Sequence, residues 1–121
     1  MKKIYRLKKN HDIAKIVQKR QRISKEYYVV YYQYNNSPIP KVAFSVSKKY
    51  GMAVERNKAK RIARSIVQKS IKSLNYINMV IVIKNKAKNA LYTLLEKELL
   101  ASLKMILNKQ AKGENNESTK I

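Results

Sequence analysis

The 121-residue chain has no cysteine, which excludes a disulfide framework and any thiolate-bound zinc. Acids are scarce: 7 Asp and Glu stand against 28 Lys and Arg, a formal charge of +21. Those acids (Asp12, Glu26, Glu55, Glu96, Glu98, Glu114 and Glu117) are scattered. A two-metal nuclease needs several carboxylates converging on ions about 3.5–4 Å apart, and no such cluster is visible. The one histidine, His11, has no orienting partner or nucleophile marked out for it, so no catalytic residue is assigned. No apolar run approaches the ~18 residues that would span a membrane. Met1-Lys2-Lys3 leads into Arg6, Lys8 and Lys9 rather than an apolar segment, which argues against a signal peptide. The absence of cysteine fits a reducing cytoplasm, the expected location.

What is present fits one small domain. The hydrophobic fraction of 45% is that of an ordinary globular protein. Packing never requires the excess of cations, because self-repulsion opposes the compact state. A polyanionic partner explains it, and nucleic acid comes ahead of an anionic membrane because neutralised phosphates release counterions whatever their sequence.

Along the chain, residues 1–9 read as a basic arm. Asn10 suits an N-cap, and Ile13, Ile16 and Val17 recur at helical spacing, so a short helix is expected over 11–20. Residues 19–25 read as a basic connector. Tyr27 to Tyr34 is almost all Tyr and Val, a strand, and Asn35-Asn36-Ser37-Pro38 is a turn. From Lys41 to Ser47 the pattern alternates, with Val42, Phe44 and Val46 on one face and Ala43, Ser45 and Ser47 on a small, polar one. Gly51 breaks the chain before an amphipathic helix over 53–73, where Ala59, Ala63, Ile66, Val67, Ile71 and Leu74 share one arc. Met79 to Ile83 is a buried strand. Leu91, Leu94, Leu95, Leu99, Leu103 and Ile106 mark a last helix, and residues 112–121 read as a disordered tail. Domain residues 1–111 then form a single α+β domain, a two-layer sandwich with helices mainly on one face of a sheet.

The segment from Ser45 to Arg64 carries the functional signal. Arg56, Lys60 and Arg64 are spaced i, i+4, i+8 and line one ridge, with Asn57 and Arg61 beside it. Cations then recur every ~6 Å along the helix axis, comparable to phosphate spacing. Arg adds a planar fork that grips phosphate oxygens. Few carboxylates are interleaved to make this an ordinary solvated face, and the ridge follows directly on the small polar strand face.

Ser45-Val46-Ser47-Lys48-Lys49, Gly51, Ala53-Val54, and Arg56-Asn57-Lys58 with Lys60-Arg61 and Arg64 resemble the signature of the ribonuclease P protein family. That family carries the pattern Arg-Asn-Arg-x-Lys-Arg-x-x-Arg. Arg6-Leu7-Lys8-Lys9, the strand at Met79–Ile83 and the spacing from Tyr92 to Leu99 also fit, so the resemblance covers nearly the whole chain. It implies a ribosomal-protein-type sandwich with a left-handed βαβ crossover, against the usual hand. It implies removal of the 5′ leader of precursor tRNA by a catalytic RNA subunit, with Mg2+ bound mainly by that RNA and the substrate. The protein alone would be inactive. Arg56, Asn57, Lys58, Lys60, Arg61 and Arg64, with Lys48 and Lys49, would contact RNA. Ile13, Val17, Tyr31, Ser45 and Ser47 would line the leader cleft, Tyr31 stacking on a base. Ile13 and Val17 stand where the family usually has Phe, which leaves apolar contact in place of stacking. Lys58 replaces an Arg and keeps the charge without the fork. Met52 and Ser65 also depart from the family's Asn and acidic residue.

Two other classes compete. A ribosomal or general RNA chaperone satisfies the composition but not the signature. A duplex-DNA reader would need a short helix and tight turn before 53–73, which the sequence lacks. The expected partners are therefore a ribonuclease P catalytic RNA and precursor tRNA, with neither duplex DNA nor membrane.

Overall fold

The computed structural model describes residues 3–7 and 10–112. Residues 1, 2, 8 and 9 of the basic arm and 113–121 of the tail lie outside the described residues, as do the side chains of Lys3, Asn10, His11 and Lys112. The elements run α1 (Asn10–Gln18), β1 (Arg22–Ser24), β2 (Tyr28–Tyr34), β3 (Lys41–Val46), α2 (Ala53–Gln68), β4 (Ile77–Ile83) and α3 (Tyr92–Lys112). The four strands form one sheet in the order β1-β2-β4-β3. β2 is antiparallel to β1 and β4, whereas β3 and β4 are parallel and joined through α2.

Strand alternation separates the sheet into two faces. Tyr28, Val30 and Tyr32 of β2, Val42 of β3, and Ile77, Met79, Ile81 and Ile83 of β4 point to one side and are buried there. α2 and α3 cover that side with Ala59, Ala63, Ile66 and Val67 and with Leu95, Leu99, Leu103 and Ile106. Tyr34 ties the layers together, its hydroxyl donating to the Ile106 carbonyl at 2.8 Å. Ile16 and Val80 are also buried but belong to no part of this core. Val80 points to the other face by register, so α1 lies across β2 and β4 there, seated through Ile16.

Four expectations change. The connector over 19–25 contains β1, a three-residue edge strand anchored by the buried Ile23. α2 ends at Gln68 rather than 73, where i→i−3 bonds from Lys69 to Ile66 and Ser70 to Val67 tighten the last turn. Ile71 and Leu74 are still buried, through a following 3-10 turn over Ile71–Ser73. Leu91 and Leu94 are exposed: Leu91 precedes α3, and Leu94 lies about 100° around the helix from Leu95. The basic arm is held at its described part, where Arg6 bridges Val42 and the Leu7 N–H donates to the Val42 carbonyl at 3.0 Å, along the free edge of β3.

Candidate nucleic-acid interface

The start of α2 is fastened at its first turn. Gly51 has φ +155°, and a Cβ built there would lie 2.5 Å from Glu55 Oε1. The Met52 N–H donates to Glu55 Oε1 at 3.0 Å, and the Arg56 N–H donates to the Met52 carbonyl at 2.9 Å. Lys88, from the turn before α3, pairs with Glu55 at 3.0 Å. The Met52 hydrogen bond first, and Lys88 second, hold the Glu55 carboxyl below its ordinary pKa. The single acid of the basic run therefore anchors the helix instead of neutralising the ridge.

Packing sets which cations point where. With Ala59, Ala63, Ile66 and Val67 against the sheet, Arg56, Lys60 and Arg64 rise on the flank beside β3, each half-buried. The Arg64 guanidinium sits 5.7 Å from the ring centre of Phe44 on β3. Asn57 and Arg61 stand exposed on the crest. Among the described residues the ion pairs are Lys69–Glu96 and Lys88–Glu55, so no carboxylate meets this ridge. The Arg56 Nε is buried and finds no acceptor among the described residues. Lys48 and Lys49 are exposed on the 3-10 turn that leads from β3 towards α2.

On the opposite sheet face, α1 leaves Ile13 and Val17 half-buried on either side of Ile16's contact. Tyr31 pairs with Val80 across the ladder, and Ser45 pairs with Val82, so both side chains emerge on the α1 side. Ile13, Val17, Tyr31 and Ser45 thus share one face, with Ser45 exposed and the others half-buried. Ser47 lies beyond the end of β3, its hydroxyl 3.4 Å from Asn85 Oδ1. β3 joins the two regions, presenting Phe44 towards the ridge and Ser45 towards the α1 face.

The acids have structural duties. Glu98 accepts the main-chain N–H groups of Glu26 at 3.0 Å, Tyr27 at 2.9 Å and Tyr28 at 3.0 Å, fixing the turn into β2. No group of three or more His, Asp or Glu that could hold a metal ion occurs among the described residues. No helix among them is long and apolar enough to cross a membrane.

A model of the family described as Ribonuclease P matches residues 1–107. The chain belongs to the ribonuclease P protein family. It is 34% identical over 113 residues to the ribonuclease P protein component of Acholeplasma laidlawii, covering 88% of this chain and 95% of the relative. It superposes on the Staphylococcus aureus RNase P protein with TM-score 0.77 and 31% identity, over 86% of this chain and 96% of that one. The Thermotoga maritima RNase P protein gives TM-score 0.74 at 25% identity, over 83% and 96%. Membership makes the chain a component of a tRNA-processing ribonuclease, and the mixed α+β fold is the one these structures share.

In this ribonuclease P protein the signature residues do not all share one surface. Lys58 stands on the far flank of α2, lining a cavity with Tyr92 and Leu95 of α3 rather than joining the β3-side ridge. Two residues that sequence reasoning passed over also reach the candidate surfaces. Arg22 faces Tyr31 across the β1–β2 ladder and holds its guanidinium 6.0 Å from that ring. Arg6 is placed beside β3 by the docked arm. The signal for Arg22 was weak, because a strand with one buried residue leaves almost no alternation to read.

Proposed function

We propose that the chain is the RNA-contacting subunit of ribonuclease P, binding the catalytic RNA and the 5′ leader of precursor tRNA while the RNA subunit breaks the phosphodiester bond. The observation that carries this reading is the ridge of Arg56, Lys60 and Arg64, beneath the exposed Asn57 and Arg61, with no carboxylate partner among the described residues. Cations repeated each helical turn meet successive phosphates, and the counterions released drive association. Lys48 and Lys49 extend the cationic surface beyond β3.

The α1 face takes the leader. Ile13 and Val17 offer apolar contact, Tyr31 a ring on which a base can stack, and Ser45 and Ser47 hydroxyls for the sugar–phosphate chain. Arg22 over Tyr31 adds a cation next to the stacking ring. The protein's described acids are dispersed and already engaged or isolated, and do not fit a magnesium site. On this reading Mg2+ belongs to the RNA subunit and substrate, and the protein's part is to hold and orient strands. The work is placed in the cytoplasm, with neither duplex DNA nor a membrane as partner.

Reconstitution with a bacterial ribonuclease P RNA tests the reading. The protein should cleave nothing by itself, restore cleavage by the RNA at low magnesium, and favour leader-bearing over leaderless precursor tRNA. An equal effect on both substrates, or co-purification with ribosomal subunits instead of one discrete RNA, would favour a general RNA chaperone.

A further inference from the structure

The far flank of α2 borders an open cavity of about 450 Å3, walled by α2 from Glu55 to Ile62, by the start of α3 and by the turn Asn85–Asn89. It opens on the helix side of the sheet, away from the face that carries Tyr31. Ile62 and Leu95 contribute apolar wall. Tyr28, Tyr50 and Tyr92 converge on it, and burial pushes the Tyr28 and Tyr50 phenols above their ordinary pKa, so both stay neutral hydrogen-bonding groups. Its one carboxylate, Glu55, is already taken by the Met52 N–H and by Lys88. Lys58 at the rim is exposed and meets no carboxylate among the described residues.

An apolar slot edged by phenols, with a free ammonium at its mouth, matches an aromatic heterocycle joined to an anion. The volume is ample for one base. Position matters as much as chemistry: Lys58 lies three residues, nearly one turn, from Arg61 on the crest, so a strand gripped by the ridge reaches the cavity by crossing the helix. We propose that this cavity receives one unpaired nucleotide of a bound RNA strand, its base against Ile62, Leu95 and the tyrosines and its phosphate on Lys58. The proposal rests on the RNA-binding reading above and adds a second contact surface to it.

The test uses the full chain with labelled Ile and Leu methyl groups, bound in turn to a bacterial ribonuclease P RNA and to leader-bearing precursor tRNA. One of the two should shift the Ile62 and Leu95 methyl resonances and give contacts to base protons, which identifies the strand that supplies the nucleotide. Tyr92→Leu should weaken that RNA roughly tenfold and leave the salt dependence unchanged, since stacking alone is lost. Lys58→Gln should lower the slope of log affinity against log salt by about one. Arg61→Ala serves as the control for the ridge. If Arg61→Ala weakens binding while Tyr92→Leu and Lys58→Gln bind both RNAs as the wild type does, with Ile62 and Leu95 unshifted, the cavity proposal is overturned and the interface stands. If Arg61→Ala is also without effect, the ridge reading falls as well.

Discussion

The two flanks of α2 carry similar cations and meet opposite fates. Towards α3, Lys69 pairs with Glu96, and Lys88 reaches across to Glu55. Towards β3, Arg56, Lys60 and Arg64 meet no carboxylate among the described residues, and Arg64 lies over the Phe44 ring. Four of the five acids that the structure describes (Glu26, Glu55, Glu96 and Glu98) lie at the α2–α3 layer or at the turn into β2. The scarcity of carboxylates is thus not spread evenly: among the described residues the few available serve folding, the α3-side flank keeps Lys58 alone without a counter-charge, and the β3-side ridge has none at all. Charge excess alone would not distinguish a binding surface from a solvated one, whereas the placement of counter-charges does.

Substituting Arg56, Lys60 and Arg64 together by Gln should have the largest effect on this contrast. RNA affinity should fall about a hundredfold or more, and the salt slope should shrink by roughly two to three, with the thermal melt near that of the wild type. Titrations over a range of salt check it, and an unchanged slope would erase the difference between the flanks. Glu98→Ala should show the opposite profile. Three main-chain N–H groups lose a charged acceptor, which costs about 2 kcal/mol of stability, read by urea unfolding, while the salt slope of RNA binding is kept. Glu96→Gln removes a partly exposed pair and should cost about 1 kcal/mol or less in the same measurement.

The smallest effect concerns pH. Glu55 has a folded pKa below its ordinary 4.5, so its stabilisation is present above that value and is lost as pH falls through the lower folded pKa. Between pH 6 and 3 the melting temperature of Glu55→Gln should therefore fall less steeply than that of the wild type. Parallel curves would mean that the Met52–Glu55–Lys88 clamp contributes nothing.

Periodicity made the buried side of α2 legible, because Ala59, Ala63, Ile66 and Val67 recur at the helical repeat and that repeat is a local property. The same signal overran the true end of the helix, since the 3-10 turn at Ile71–Ser73 keeps Ile71 and Leu74 facing the core. The alternation in β3 correctly separated Val42 from Ser45. What could not be read were relations between elements. Lys58 follows Asn57 in the chain yet faces α3, and only the docking of α3 decides that flank. α1 shows three apolar positions, but which face of the sheet it would cover, and that Ile16 alone would be fully buried, depend on tertiary contacts. β1 was too short to announce itself. The family signature marked the residues of the ridge without indicating how they divide around the helix.

The docking of Arg6 and Leu7 against Val42 has a consequence for how copies of the molecule behave together. β3 is the last strand of the sheet on its side, and an open strand is a template onto which another chain can add. At Val42 the N-terminal segment already fills part of that border. Copies brought close together on one polyanion would then meet at a strand whose Val42 carbonyl is already engaged, which narrows the stretch open to a second chain.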